Sequence, residues 1–243
     1  MASDLPPLTE QIIYCELDDE QRSLYETEKS KVRNKFIEMI ETGERKSISV
    51  EVLSALNKLR QISNHPIMID DTYEGESGKY NEILRSIESL TAEDHKVLIF
   101  SSFVKHLNLF ETYFDSENIK YSILTGKTKN REEVINDFQN DSKNKIFLIS
   151  IKAGGTGLNL TEADYVFIID PWWNPAVEKQ AVNRAHRIGQ DKKVMVYRYI
   201  SKNTIEEKII KLQEKKTQLA ETFINSDSPL SNLSNDNILE LFE

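Results

Sequence analysis

Four short apolar runs, spaced by stretches of helical periodicity, constrain this chain more than any other feature. They are residues 96–100 (KVLIF), 145–150 (KIFLIS), 164–170 (DYVFIID) and 193–200 (KVMVYRYI), with a weaker run at 120–124. Most place apolar residues at consecutive rather than alternate positions, the pattern of strands buried on both faces. Residues 104–114, 131–138 and 176–188 lie between them and read as helices. Strands alternating with helices predict an α/β fold, a parallel sheet covered on both faces. Such sheets bind ligands outside the carboxyl ends of their strands. The loops 101–103, 125–130, 150–159 and 170–175 are therefore where function is expected.

The flanks read differently. Asp18 and Gln21 form a capping pair, and Leu24, Tyr25, Val32, Phe36, Met39 and Ile40 follow at helical spacing up to Gly43. A second helix is predicted over 49–64, carrying Val52, Leu53, Leu56, Leu59 and Ile62 and ended by His65-Pro66. The first quarter is thus expected to be helical, and polar residues 70–78 to be a linker. A charged helix is expected over 203–224, then a loosely held Ser- and Asn-rich tail. The expected organisation is a helical region over 1–76, the α/β lobe over 77–202, and a helix and tail over 203–243.

Composition removes several classes of function. No apolar run approaches the length of a membrane span, and the first residues carry no basic and apolar signal pattern. A single cysteine, Cys15, allows neither an internal disulfide nor a multi-thiolate zinc site. His65, His95, His106 and His186 lack metal-ligand spacing, so no metal site is read. There is no G-x-S-x-G elbow. The formal charge of −9 argues against coating nucleic acid indiscriminately. A local basic groove is still allowed. Residues 171–198 hold six basic side chains (Lys179, Arg184, Arg187, Lys192, Lys193, Arg198) against two acidic ones (Glu178, Asp191).

Two glycine loops invite a nucleotide reading and fail it. Gly126-Lys127-Thr128 follows a strand like the end of a phosphate-binding loop, but the glycine required five residues earlier is Tyr121. Gly154, Gly155 and Gly157 fall short of a dinucleotide fingerprint, because the last glycine would be Leu160. Small residues there let a backbone approach something closely. Arg184 and Arg187, three apart on the predicted helix 176–188, share a face, with Gln180 one turn earlier. Two guanidiniums and an amide beside the ligand edge suit a phosphate.

Taken together, these segments carry a resemblance. Residues 150–160 (SIKAGGTGLNL), 170–176 (DPWWNPA) and 180–190 (QAVNRAHRIGQ) closely resemble the late motifs of Swi/Snf-type ATPases, superfamily II helicase-like motors. Residues 96–103 (KVLIFSSF) look like that family's fourth motif, and Thr125-Gly126 with Arg131 like its turn and helix. Residues 59–66 (LRQISNHP) and 77–79 (SGK) look like the segment before the second lobe. The resemblance implies the second RecA-like lobe of such a motor. It also implies a missing first lobe, because neither a G-x-x-x-x-G-K-[ST] loop nor a D-E-x-H box occurs in these 243 residues.

Roles follow from the resemblance. Arg187 is the expected arginine finger, supported by Arg184. Gln180, Gly157 and Asn159 belong to ATP binding and coupling. Ser102, Thr125, Gly126, Lys127, Lys152, Ala153, Gly154, Gly155 and Thr156 are expected to face DNA phosphates, which position a protein without reading sequence. Trp173 and Asn174 would couple the lobes. The implied partners are double-stranded DNA, ATP and the first lobe. The implied cofactors are ATP and magnesium, neither held by this lobe alone, and the fragment is expected to be a monomer. The implied location is the nucleus or, in a prokaryote, the cytoplasm and nucleoid, with no membrane partner. An RNA-helicase lobe is disfavoured by the DPWWNP and HRIGQ strings, and a decayed, non-enzymatic interaction module by the intact arginine pair. The purified chain by itself should not hydrolyse ATP, because a finger without a γ-phosphate cradle has nothing to stabilise. A phosphate-release assay showing DNA-dependent turnover that survives Arg187→Ala would contradict the two-lobe reading.

Overall fold

β2 (Val97–Ser101) and β4 (Ile146–Ser150) are buried at every position, as consecutive apolar residues demand. They are neighbouring interior strands of a six-stranded sheet in the computed structural model, which describes residues 5–42, 45–155, 158–218 and 239–242. The remaining strands are β1 (Leu8–Cys15), β3 (Ser122–Leu124), β5 (Tyr165–Ile168) and β6 (Val194–Ser201), in the order β1-β6-β5-β2-β4-β3. The pairs β3–β4, β4–β2, β2–β5 and β5–β6 are all parallel. The helices are α1 (Asp19–Thr42), α2 (Arg45–Asn64), α3 (Gly78–Ala92), α4 (Val104–Ser116), α5 (Arg131–Asn140), α6 (Pro175–Val182) and α7 (Ile205–Gln218). Among the described residues no helix is long and apolar enough to cross a membrane.

The chain divides into two compact units, residues 1–14 with 81–200 and residues 15–80 with 201–243. The first is the α/β unit. One sheet face packs Leu98, Phe100, Phe147, Ile149, Val166, Ile168, Val194 and Val196 against Phe138 of α5 and Ala181 and Val182 of α6. Successive strand residues face opposite ways, so Ile99, Leu148 and Phe167, also fully buried, point to the other face. There α4 contributes Leu107, Phe110 and Phe114. The expected parallel sheet with helices on both faces is present.

The second unit is helical, apart from Cys15 and Ser201, the last residues of β1 and β6. Asp18 Oδ1 accepts the Glu20 N–H at 3.1 Å, and Gln21 Oε1 accepts the Asp18 N–H at 3.4 Å, the reciprocal cap read from the sequence. Gln21 is nevertheless buried, and its Nε2 donates to the Ile62 carbonyl at 2.7 Å. Lys79 is also fully buried. Its ammonium contacts both oxygens of buried Glu206, at 2.6 and 2.5 Å, and Asn64 Oδ1 at 2.9 Å. Glu206 in turn accepts the Ser201 N–H at 2.8 Å. Beside Lys79, a Cβ on Gly78 would lie 2.0 Å from the Glu16 carbonyl oxygen, so only glycine fits.

Several expectations change. β1 was expected to be helical territory; it is an edge strand whose Leu8, Ile12 and Tyr14 are exposed, so no buried run betrays it. The expected linker 70–78 ends in structure: Ser77 is buried and Gly78 opens α3, whose buried Lys79 is neutralised by a residue distant in sequence. The predicted helix 176–188 stops at Val182. The tail is not loose throughout: Leu241 and Phe242 are buried, and the Phe242 ring lies 6.5 Å from that of Phe36. Residues 219–238, including the expected end of the helix 203–224, lie outside the described residues. Lys79→Met should strand the Glu206 carboxylate in the interior and destabilise the chain by about 3–5 kcal/mol. Lys79→Met with Glu206→Gln should be milder, with urea unfolding as the measurement.

Candidate functional site

The parallel register aligns the carboxyl ends of the strands: Ser101 pairs with Ser150, Phe100 with Ile168, and Leu124 with Ile149. From β2 the chain crosses through α4 to β3 on one side, and from β5 through α6 to β6 on the other. The sheet therefore changes direction between β2 and β5, where a crevice for ligands opens. Asp170 ties together the two loops that leave this point. Its buried carboxylate accepts hydrogen bonds from Ser101 Oγ at 2.5 Å, from the Ser102 N–H at 3.1 Å and from Ser102 Oγ. Sequence reasoning placed Ser102 at the edge and missed its anchor, since nothing local links residue 102 to residue 170.

After β3, Thr125–Thr128 closes a turn, with Thr125 C=O accepting the Thr128 N–H at 3.2 Å and Thr128 Oγ1 accepting the Thr125 N–H at 3.0 Å. Gly126 and Lys127 are exposed at its tip, and Thr125 is half-buried. After β4, Lys152 is exposed and Ala153 buried. Gly154 serves the core: a Cβ there would come within 3.2 Å of the Phe100 ring. Ala153–Gly155 form one short 3-10 turn. Thr156 and Gly157 lie outside the described residues. Asn159 is exposed, with its carbonyl held by Gln139 Nε2 at 2.8 Å; Arg131 Nη2 holds the Ala153 carbonyl at 2.7 Å.

After β5, Asn174 caps α6, its Oδ1 accepting the Ala176 N–H at 3.0 Å, with Pro175 in the first turn. Buried Glu178 accepts the Trp172 N–H at 2.6 Å and pairs with Arg198. Trp172 packs on the core and Trp173 is half-buried.

Gln180 is exposed in the last turn of α6. Beyond Val182 the Arg184 and Ala185 N–H groups bond three residues back, to Ala181 and Val182, a tighter winding than an α-helix. Gly189 turns the chain with φ +100. α6 ends before either arginine, so Arg184 and Arg187 lie in the turn that follows it rather than on one continuous helix as the sequence predicts. They are still electrostatic neighbours: burial first, and then the charge of Arg187, holds the Arg184 pKa below the ordinary guanidinium value. Arg187 is exposed, and its Nη1 lies 3.4 Å from the Leu158 carbonyl.

Gln190 fixes this arginine turn. Buried, it donates through Nε2 to the carbonyls of Thr161, Ala163 and Ala185 at 2.9, 2.9 and 3.1 Å, and accepts the Lys192 N–H at 2.8 Å. Two guanidiniums that feel each other's charge, Arg184 half-buried and Arg187 open to solvent, suit an anionic phosphate. The arrangement fits the phosphates of a nucleotide.

Comparison with known proteins places this geometry. Residues 78–189 match the helicase conserved C-terminal domain, and residues 1–68 match the SNF2-related domain. The structure of the Sulfolobus solfataricus SWI2/SNF2 ATPase C-terminal domain superposes with a TM-score of 0.78 and 32% identity, covering 96% of this chain and 97% of that one. The chain belongs to the SWI2/SNF2 ATPase family. The Sulfolobus solfataricus SWI2/SNF2 ATPase core in complex with dsDNA gives a TM-score of 0.82 at 31% identity, over 98% of this chain and 51% of that one. An uncharacterized ATP-dependent helicase of Mycoplasma pneumoniae is 37% identical over 99% of this chain and 23% of its own length. The chain spans about a quarter of the length of the curated relatives it matches.

Gln190→Ala should leave buried carbonyls unpaired and cost about 1–3 kcal/mol, whereas exposed Arg187→Ala should change stability by less than about 0.5 kcal/mol. Parallel urea titrations of the two variants compare them directly.

Proposed function

We propose that this chain is the second RecA-like motor lobe of an ATP-dependent translocase on double-stranded DNA. The observation that carries the reading is the arginine turn: Arg187 is open to solvent at the carboxyl edge of the sheet, on a backbone that Gln190 anchors by three carbonyls. A first lobe elsewhere in the protein would hold ATP and magnesium, and ATP supplies the phosphoanhydride bond whose cleavage drives the motor. Arg187 would meet the transferring phosphoryl across the lobe interface. An arginine supplied in this way stabilises charge developing in the transition state by a factor of roughly a thousand or more. Arg184, half-buried behind it, orients and reinforces that charge.

The other loops of the edge suit a nucleic-acid backbone. Lys127 and Lys152 offer exposed ammonium groups, and the Thr125–Thr128 turn offers backbone and hydroxyl groups. Asp170 fixes Ser102 at the carboxyl end of β2. Such contacts are independent of base sequence, so the lobe can follow a duplex through successive steps. The similarity to a core solved with dsDNA supports duplex over RNA as the track.

In a motor in which this chain follows its first lobe, Arg187→Ala should lower ATP turnover at least a hundredfold with little change in DNA affinity. Arg187→Lys should rescue only part, because an ammonium lacks the planar fork. Lys127→Ala should instead raise the DNA concentration needed for half-maximal stimulation and leave turnover without DNA unchanged. Steady-state ATPase assays with and without duplex DNA separate the two. Loss of the same parameter in both variants would remove the division into an ATP edge and a DNA edge.

A further inference from the structure

The loop after β4 is held from two sides. On one side, α5 supplies Arg131, which donates to the Ala153 carbonyl at 2.7 Å, and Gln139, which donates to the Asn159 carbonyl at 2.8 Å. On the other side stands the arginine turn, where the Leu160 N–H donates to the Arg184 carbonyl at 3.1 Å and Arg187 Nη1 reaches the Leu158 carbonyl at 3.4 Å. Asn159 thus lies between the two residues that touch the arginines, and Gln139 grips it.

α5 is held as one stiff body at its carboxyl end. Phe138 is fully buried, with its ring 5.0 Å from that of Phe147, and Val134 and Ile135 pack on the same core. Its last turn is closed by Lys96, whose ammonium donates to the carbonyls of Phe138, of Gln139 at 3.4 Å and of Asp141 at 3.2 Å. Its first turn follows directly on the Thr125–Thr128 turn. From Arg131 to Gln139 the helix spans about 12 Å.

We propose that α5 is a strut carrying displacements of the Thr125–Lys127 turn to the arginine turn, and that Gln139 is the positioning residue at its far end. This rests on the function proposed above, which puts DNA at the near end and a nucleotide phosphate at the far end. When DNA shifts the turn, α5 follows, Gln139 carries Asn159, and the flanking residues Leu158 and Leu160 carry Arg187 and Arg184. Gln139 touches neither ligand in this scheme. Its removal therefore uncouples the two ends without weakening either.

The test uses a two-lobed motor with this chain as the second lobe, assayed for ATPase with and without duplex DNA. Gln139→Met removes the donor at similar length and without charge; Gln139→Glu leaves only acceptors; Gln139→Lys keeps an N–H donor. The Met and Glu variants should lose at least fivefold in DNA-stimulated kcat, with basal turnover and half-saturating DNA within twofold of the parent. The Lys variant should retain more than half of the stimulated rate. A stimulated rate within twofold of the parent for Gln139→Met overturns the strut. A parallel fall of basal and stimulated rates, or failure of the Lys variant to retain stimulation, also overturns it. A parent motor without DNA stimulation overturns the function proposed above, and the strut with it.

Discussion

The in-register parallel ladder is the constraint on which the rest of the α/β unit depends. Because Ser101, Ser150, Leu124 and Ile168 end their strands at matching levels, four loops from distant parts of the sequence emerge along one edge. A one-residue slip of any strand would turn its fully buried side chains to the opposite face and scatter those loops. Burial on both faces makes such slips costly, so hydrophobic packing in the middle of the sheet sets the precision of the polar chemistry at its rim.

At that rim, the polar groups work by tying loops to one another. Asp170 joins the loops after β2 and β5, Gln190 joins the arginine turn to the approach to β5, and Glu178 joins the tryptophan loop to β6 through Arg198. Each is buried and each has a partner. The side chains left exposed, such as Lys127, Lys152 and Arg187, are those free to meet a ligand. A rigid buried layer under an open charged layer is what preorganised recognition of phosphate requires.

Much of this was legible in the sequence, and the limits have physical causes. Consecutive apolar residues announced β2, β4, β5 and β6, because burial on both faces leaves a signal within a few residues. β1 was missed because an edge strand with exposed Leu8, Ile12 and Tyr14 lacks that signal. α3 has no counterpart among the helices expected from the sequence, and the buried segment that leads into it is hidden because Ser77 and Lys79 read as solvent-facing until Asn64 and Glu206 are known to be beside them. The helix expected through Arg187 stops at Val182, and the turn that follows is held by Gln190 through carbonyls distant in sequence and reversed at Gly189, which periodicity does not reveal. The residue types of the site were readable; the tethers that hold them were not, since each joins segments far apart in the chain.

The buried pair Lys79–Glu206 has a kinetic meaning as well. Its members are 127 residues apart, and nearly all of the α/β unit lies between them. The helical unit therefore cannot complete its core from contiguous chain: α1 and α2 precede strands β2–β6, and α7, which packs on α2, follows them. Closing so long a loop is slow for an open chain and much easier once the intervening residues have collapsed into a compact body with nearby ends. The ion pair is thus a contact whose closure cost depends on the compactness of the residues between its two members.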